Sequence, residues 1–248
     1  MPSASLPLCE LSFLEREPID VTRANAQHAA YRQALVDAGA QIVILPALDA
    51  LPDAMFVEDT AIVLDELAII APMGAPSRQP ETAAIADTLK AYRPVHALTP
   101  PATLDGGDVL HVGRTLYVGQ TPRTNRAALD QLRVLLKPFG YDVMGVPVTK
   151  CLHFKSGCAA IGDRVLVNPD WVAPSVFAGH EIVTVDPTEP WGANVLAIGQ
   201  TVLIPASAPR TRDRLRAALA GIDVVAVDVS ELQKAEAGVT CMSILIAT

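Results

Sequence analysis

Residues 107–118 read GDVLHVGRTLYV, and this stretch decides the fold predicted for the chain. Apolar and β-branched residues dominate 109–112 and 115–118, and the turn Gly113-Arg114 separates the two runs. Two such runs joined by a Gly-containing pair are typical of a β-hairpin. We therefore expect a hairpin here, with the Gly107-Asp108 pair at the entrance to its first strand.

The same pattern recurs along the chain. A landmark pair of residues precedes each hairpin at a spacing of roughly 35–50 residues, which is the range of repeat architectures. The landmark pairs are Glu58-Asp59, Gly107-Asp108, Gly157-Cys158, Ala193-Asn194 and Thr240-Cys241. Each of the five units is predicted to run strand, loop, strand, tight turn, strand, and the last unit stops before its final strand.

Helical patterns connect the units, because apolar residues there recur at helical spacing. These segments are 24–39, 82–92, 125–139 and 211–219. The connection at 170–179 is shorter and contains proline, so we expect no more than one helical turn in it.

Strand-rich units that each carry a helix predict an α/β fold. We expect five ββαβ-type repeats that close into a ring, formed by a single domain over residues 1–248. Residues 8–13 would supply the missing strand by pairing with 242–246, since closure removes exposed sheet edges. The alternative is an ordinary α/β or α+β sheet whose units resemble one another by accident.

Composition limits the partners and the compartment. The chain has 248 residues, a net charge of -8 and a mean hydropathy of +0.32, which argue against disorder and against nucleic acid or anionic membranes as partners. It contains no apolar run long enough for a membrane span, and its N-terminus lacks the features of a signal peptide. Its four cysteines have no metal-ligand spacing. We therefore predict a cytoplasmic protein with reduced thiols, no metal site and a small cationic substrate.

Chemically active side chains occupy the loops before the middle strands. In a closed ring these loops point to one face, which would bring together a thiol, an imidazole and several carboxylates. The side chains are Asp53, Glu58, Asp59, Asp105, Asp108, His153, Asn194 and Cys241. Cys241 begins a strand-like run directly after a Gly-containing loop, a place where active sites present a nucleophile; a buried small hydrophobic residue is the alternative, and it stays open on these residues alone.

Six motifs carry a family resemblance. They are Phe56–Asp59, Gly74–Arg78, Leu104–Val109, Arg123–Asn125, Leu152–Ser156 and Gly238–Ser243. In order and spacing they resemble the dimethylarginine dimethylaminohydrolases (dimethylargininases) of the guanidine-modifying, amidinotransferase or pentein, superfamily. The resemblance runs from about Val21 to the C-terminus and implies a five-bladed α/β propeller.

The resemblance also implies a reaction and a site. Nω-methylated arginine, either asymmetric dimethylarginine or monomethylarginine, would be hydrolysed to citrulline and a methylamine through a covalent thiouronium on Cys241. His153 would be the general acid and base, with Asp105 as its carboxylate partner. The residues matching substrate-binding positions are Asp53, Glu58 and Asp59, Arg78 and Arg123 for the α-carboxylate, and Leu14, Ala235 and Glu236. No cofactor is implied, and the protein would be a monomer or homodimer.

Two alternative functions stay open. Arginine deiminases and amidinotransferases belong to the same superfamily, and deiminases carry an aspartate two residues after the catalytic histidine. Lys155 stands at that position here, which favours an alkylated guanidine. The second alternative is a non-catalytic binding module of the same fold, against which the joint presence of Cys241, His153 and Asp105 argues.

Overall fold

The computed structural model describes residues 1–247, and their contacts divide the chain into two compact units. We call one the N-terminal unit, which contains Met1–Met55 and Ser156–Thr240. The other is the central unit, which contains Phe56–Lys155 and the residues from Cys241 onward.

Within the described residues, twelve strands form four three-stranded sheets of one topology. In each sheet an antiparallel hairpin is followed by a third strand that pairs in parallel with the second. The central unit contains β1 (Ala61–Val63), β2 (Ala68–Ile70), β3 (Val95–Ala97), β4 (Val109–Val112), β5 (Thr115–Gln120) and β6 (Asp142–Pro147). The N-terminal unit contains β7 (Cys158–Ile161), β8 (Arg164–Val167), β9 (Glu181–Thr184), β10 (Leu196–Ile198), β11 (Thr201–Pro205) and β12 (Asp223–Val227).

Four of the helices, α1, α2, α3 and α5, lie where the apolar periodicity predicts them, and the short helices α4 and α6 were not predicted. The α-helices are α1 (Val21–Asp37), α2 (Thr82–Leu89), α3 (Arg126–Leu136), α4 (Phe154–Gly157), α5 (Pro209–Ala218) and α6 (Ser230–Gln233). Short 3-10 helices are Leu6–Leu8, Val57–Thr60, Pro76–Glu81, Gly106–Asp108, Lys137–Phe139, Pro174–Phe177 and Pro190–Ala193. Asp20 begins α1 by accepting hydrogen bonds from the backbone N–H groups of Thr22 and Arg23, and Asn125 begins α3 in the same way.

Each of the two compact units has a hydrophobic core, in which residues of one helix pack with residues of both sheets. In the central unit, α3 buries apolar residues at helical spacing against strands of both sheets; its buried residues are Ala128, Leu129, Leu132 and Leu136. In the N-terminal unit, Leu215 of α5 packs in one cluster with residues of β7 to β12. Among residues 1–247, every helix is too short or too polar to cross a membrane.

The structure corrects the point at which each repeat begins. From the second repeat on, the strand expected to open a repeat pairs instead with the hairpin of the preceding repeat; β3, for example, runs parallel to β2. A helix that follows a hairpin returns the chain to the sheet that the hairpin began, so strand, helix and strand form one crossover. The order within a sheet is therefore hairpin, helix, parallel strand, as the ββαβ description requires.

Three predicted strands are not formed in the described residues. The segments 8–13, 41–46 and 242–246 run as irregular backbone, and the expected pairing of 8–13 with 242–246 is not found. Several of their apolar side chains are exposed, among them Leu8, Val43 and Leu245. An alternating apolar pattern indicates strand propensity, but a strand also needs a neighbour to accept and donate its backbone hydrogen bonds.

Candidate active site

His153 lies buried between two carboxylates in the central unit. Its Nε2 is 3.0 Å from Oδ2 of Asp105, and its Nδ1 is 3.5 Å from Oδ1 of Asp59. Asp59 belongs to the 3-10 helix Val57–Thr60, Asp105 precedes the 3-10 helix Gly106–Asp108, and His153 precedes α4. The structure thus brings together three predicted site residues whose positions in the sequence span almost one hundred residues.

The carboxylate of Asp105 is fully buried and held from several sides. Its Oδ1 accepts a hydrogen bond of 2.8 Å from the backbone N–H of Gly74. Its Oδ2, which faces His153, also lies 3.5 Å from Nη1 of Arg123. Because both oxygens have donors, Asp105 can fix the orientation of the imidazole without rotating.

The surroundings of His153 favour its charged form. Burial alone favours the neutral imidazole, but the carboxylates of Asp59, Asp105 and Asp108 outweigh burial and raise the pKa of His153 to about 9. Burial likewise disfavours the charge of Asp59, but His153 and Arg78 hold the pKa of Asp59 below its usual value. The pair is therefore an imidazolium beside a carboxylate at neutral pH.

Gly107 allows the close approach of Asp59 and His153. Its backbone N–H donates to Oδ1 of Asp59 at 3.1 Å. A Cβ atom at this position would lie 2.5 Å from the same oxygen and 2.8 Å from the ring of His153, distances that real Cβ atoms do not show. The Gly-Gly sequence at 106–107, which indicates a turn, therefore also serves the site.

Arg78 is buried inside this network. Its Nη1 donates to Oδ2 of Asp59 at 2.7 Å, and its Nε and Nη2 donate to the carboxylate of Glu81 at 2.9–3.3 Å. Only 4% of Arg78 is exposed, although the sequence before it is rich in glycine and proline. Sequence reasoning missed Glu81 altogether, although its spacing of three residues from Arg78 is the signal of a helical ion pair.

Glu58, Lys155 and Cys241 form a second group in the central unit. Oε1 of Glu58 lies 2.8 Å from Nζ of Lys155, and the backbone N–H of Glu58 donates to the carbonyl of Cys241 at 3.1 Å. All four cysteines lie in the described residues as thiols; Cys9, Cys151 and Cys158 are buried, whereas Cys241 is partly exposed. Partial exposure is what a reacting thiol requires, and burial is what the other three were expected to show.

Asp108 anchors the backbone next to His153 and also acts on it electrostatically. Its oxygens accept hydrogen bonds from the hydroxyls of Thr121 and Thr124, both at 2.6 Å, and from the backbone N–H of Phe154 at 2.9 Å. Burial raises the pKa of Asp108 to about 6, against the opposing effect of these bonds. Asp108 therefore anchors the start of α4, directly after His153, and adds to the negative field on the imidazole.

The remaining predicted site residues lie in the N-terminal unit, where the acidic ones bind backbone amides. Asp53 accepts hydrogen bonds of 3.1 and 3.3 Å from the N–H of Glu10. Oε1 of Glu236 accepts from three successive N–H groups at 2.5–2.9 Å, those of Ser12, Phe13 and Leu14. Glu236 has a φ of 58°, a left-handed conformation that strains a residue with a side chain.

A cavity of about 310 Å³ lies in the N-terminal unit beside these residues. Leu14 and Glu236 line it together with Trp191 and Asn194, whereas the buried Ala235 does not. The volume is at the lower end of the range of small-molecule sites.

Asn194 holds the residue that precedes Cys241. Its Oδ1 accepts from the N–H of Thr240, and its Nδ2 donates to Oγ1 of Thr240, both at 3.0 Å. The backbone partner of Asn194 is therefore remote in the chain, 46 residues away. Among residues 1–247 no group of three or more His, Cys, Asp or Glu side chains has the geometry of a metal site.

Comparison with known proteins gives consistent results. A family profile described as "N,N dimethylarginine dimethylhydrolase, eukaryotic" matches residues 12–170. The N(G),N(G)-dimethylarginine dimethylaminohydrolase of Streptomyces coelicolor is 39% identical over 98% of this chain and 93% of its own length. Its counterpart from Pseudomonas aeruginosa is 34% identical over 91% of this chain and 89% of its own. A solved structure of the P. aeruginosa enzyme, a cysteine-to-serine variant in complex with citrulline, has a TM-score of 0.92 at 32% identity and covers 97% of this chain and 94% of that one.

Proposed function

Because the chain belongs to the dimethylarginine dimethylaminohydrolase family, we propose that it hydrolyses Nω-methylated arginine to citrulline and a methylamine through a covalent adduct on Cys241. It is a hydrolase that acts on a guanidino carbon. One observation supports this assignment of residues: His153 is buried between Asp59 and Asp105, in the unit that also contains Cys241.

The chemistry begins with a thiolate. Sγ of Cys241 attacks the guanidino carbon, and a tetrahedral adduct forms. The imidazolium of His153 donates its proton to the methylated nitrogen, so that the carbon–nitrogen bond breaks and the methylamine leaves. A thiouronium remains on Cys241. His153 then takes a proton from water, and the water oxygen bonds to the same carbon as a hydroxyl. The carbon–sulfur bond breaks as this hydroxyl gives its proton to solvent, which releases citrulline and the thiolate.

The geometry around His153 suits both of its roles. Asp105 holds Nε2 through a buried hydrogen bond and stabilises the imidazolium, as the third member of a triad does. The pKa of about 9 keeps the imidazole protonated in the free protein, which supplies the acid for the first step. A neighbouring imidazolium also favours the thiolate over the thiol.

Substrate binding is proposed from the remaining predicted residues. The ionised Asp59 binds the guanidinium with charge-assisted hydrogen bonds, and Glu58 completes that side of the pocket. Arg123, whose side chain is 12% exposed, suits the α-carboxylate through its planar fork. Arg78 was also predicted to bind the α-carboxylate. Because it is buried against Asp59, it has a second role, which is to hold the carboxylate of Asp59. Asp53, Leu14, Ala235 and Glu236 stay substrate contacts proposed from the resemblance, and Leu14 and Glu236 line the cavity of the N-terminal unit.

Lys155 favours this reaction over deimination of arginine. Arginine deiminases carry at this position an aspartate that binds two unsubstituted nitrogens. Here the position holds an ammonium group, 2.8 Å from Glu58, so it offers no acceptor to an N–H of the substrate. A guanidine whose terminal nitrogen carries methyl groups needs no acceptor there.

The finer architecture belongs to the same proposal. We infer a single catalytic domain with five repeats in a propeller arrangement, supported by the four sheets of one topology and by the fifth repeat in the sequence. The cytoplasmic location, the absence of nucleic-acid and membrane partners, and a monomer or homodimer stay predictions from composition and resemblance.

The test compares substrates and a nucleophile variant. Citrulline release is measured from asymmetric dimethylarginine and from arginine, with Cys241→Ser as control. We expect turnover of the methylated substrate, little of arginine, and a loss of more than about a thousandfold in the variant with its thermal unfolding unchanged. Equal turnover of arginine would favour the deiminase, and activity of Cys241→Ser above a few per cent would exclude Cys241 as the nucleophile.

A further inference from the structure

Glu81 is a buried carboxylate to which neither the motifs nor the proposed reaction assigns a role. It ends the 3-10 helix Pro76–Glu81, and 3% of it is exposed. Its two oxygens accept from Nε and Nη2 of Arg78 at 2.9–3.3 Å, a side-on pairing that fixes the plane of the guanidinium. In a 3-10 helix, residues three apart lie on the same side, so the backbone itself places Glu81 against Arg78.

The other edge of the same guanidinium meets the site. Nη2 of Arg78 also donates to the carbonyl of Phe56 at 3.2 Å, and Nη1 donates to Oδ2 of Asp59 at 2.7 Å. Asp59 then faces His153 through its other oxygen, Oδ1, at 3.5 Å. A continuous line of buried polar contacts therefore runs from Glu81 through Arg78 and Asp59 to His153.

Charge neutralisation alone does not account for Glu81. The guanidinium of Arg78 already has a buried carboxylate partner in Asp59, and a second buried carboxylate carries its own cost of desolvation. What the second carboxylate adds is geometry, because Asp59 and the carbonyl of Phe56 hold Nη1 and Nη2, and Glu81 holds the Nε edge as well. With its Nε edge held, Arg78 presents Nη1 to Asp59 in one orientation.

We propose that Glu81 is a positioning residue that fixes Arg78 and, through it, the carboxylate of Asp59 that receives the substrate's guanidinium. The inference rests on the proposed function for its kinetic test, but not for its structural one. The proposal also separates two roles of Arg78. If Arg78 acts through Asp59, it affects binding of the substrate's guanidinium; if it binds the α-carboxylate, it affects the other end of the substrate.

The kinetic test uses Glu81→Gln with two substrates, asymmetric dimethylarginine and the same guanidine without its α-carboxylate. We expect kcat/KM to fall by about ten- to a hundredfold on both substrates, mainly through KM, because both present the same guanidinium. Glu81→Asp, which keeps the charge, should recover part of the loss. A loss confined to the substrate with the carboxylate, or an equal loss in Glu81→Asp and Glu81→Gln, would overturn the proposal.

A matched control is Glu66→Gln. Glu66 is also a carboxylate of the central unit that pairs with an arginine, Arg114, at 2.5 Å, and it accepts from the hydroxyl of Tyr141 at 2.9 Å. It has no role in the proposed site, so its variant should keep wild-type kinetics. A similar loss in Glu66→Gln would reduce the effect of Glu81 to general destabilisation and overturn the proposal.

The structural test needs no turnover. The imidazole of His153, which faces the carboxylates of Asp59, Asp105 and Asp108, is titrated by NMR in the wild type and in Glu81→Gln. We expect the midpoint to fall from about 9 in the variant, since Asp59 is no longer held beside Nδ1. An unchanged midpoint in a folded variant would overturn the role of Glu81, even if methylated arginine proved not to be the substrate. If Glu81→Gln does not fold, the same titration of Glu81→Asp decides.

Discussion

The predicted acidic site residues of the two units differ in whether their partners include charged side chains. In the central unit, Asp59 and Asp105 contact other charged side chains, namely His153, Arg78 and Arg123. In the N-terminal unit, Asp53 and Glu236 accept hydrogen bonds from the backbone amides of the segment between Glu10 and Leu14. The first group sets protonation states, and the second fixes the course of a loop.

This difference has a measurable consequence. A network of charged side chains responds to pH and to any change of charge, because each member shifts the pKa of the next. A carboxylate on backbone amides responds mainly to changes in length and shape, since its donors do not titrate. Variants of the central unit should therefore change the pH dependence of catalysis, whereas variants of the N-terminal unit should change local order.

Among the variants that test this difference, the largest loss of activity is expected at Gly107, whose backbone lies against Asp59 and His153. Gly107→Ala would place a methyl group 2.5 Å from Oδ1 of Asp59 and 2.8 Å from the ring of His153. Because displacement of a catalytic group by about 1 Å can cost about a hundredfold, we expect kcat/KM to fall by about that factor. The measurement is citrulline release from asymmetric dimethylarginine.

The matched control is Gly113→Ala in the turn between β4 and β5. Gly113 has a φ of 59°, but an added Cβ would have no neighbour within 4 Å. This variant should lose about 1 kcal/mol of stability through backbone strain and keep its activity. Wild-type activity in Gly107→Ala would mean that His153 and Asp59 need not lie as close as they do here.

The next effect is on pH dependence. With a pKa of about 9, His153 is protonated below that pH, so kcat/KM should fall about tenfold per pH unit above it as the acid is lost. The same shift is a stability effect: the folded pKa is above the ordinary value of 6.5, so the stabilisation is complete below pH 6.5 and disappears as pH rises through about 9.

Asp59→Asn sharpens this prediction. Asp59 makes the largest favourable contribution to the raised pKa of His153, so its neutralisation should move the alkaline limb of kcat/KM below pH 9. An alkaline limb that stays at the same pH in this variant would show that Asp105 and Asp108 alone hold the imidazole charged. The charge of His153 would then not depend on Asp59, and the residues that set it would not include Arg78 and Glu81.

The comparison also shows what the sequence could and could not predict. The four hairpins and the helices α1, α2, α3 and α5 were predicted correctly because their signals are local, as in the turn at Gly113 and the apolar spacing of α3. The meeting of Asp59, Asp105 and His153 followed from the recurring position of these residues in the repeats. Glu81 was missed because its importance depends on the partner of Arg78, and the bonds of Glu236 were missed because backbone amides leave no trace in a sequence.

A smaller effect is expected at the boundary of the N-terminal unit. Asn194→Ala removes both hydrogen bonds to Thr240, and the buried N–H of Thr240 loses Oδ1 of Asn194 as its acceptor. The cost should be about 1–3 kcal/mol in the free energy of unfolding, measured in urea. Because Thr240 precedes Cys241, we also expect kcat to fall several-fold without a shift of the pH profile. A shifted profile would place Asn194 among the groups that set protonation, contrary to the comparison.

The smallest effect is local and concerns Glu236. In Glu236→Gln a neutral amide oxygen replaces the carboxylate that accepts from the N–H groups of Ser12, Phe13 and Leu14. A hydrogen bond to a charged acceptor is worth about 1 kcal/mol more than one to a neutral acceptor, so hydrogen exchange of these amides should become about fivefold faster. The control is Glu189→Gln, since Glu189 also lines the cavity but accepts from the N–H groups of Arg210 and Thr211 at the start of α5. It should accelerate exchange there and leave 12–14 unchanged. Equal exchange of 12–14 in all three proteins would mean that the loop is held by its other contacts, and the carboxylate of Glu236 would then be available to the substrate.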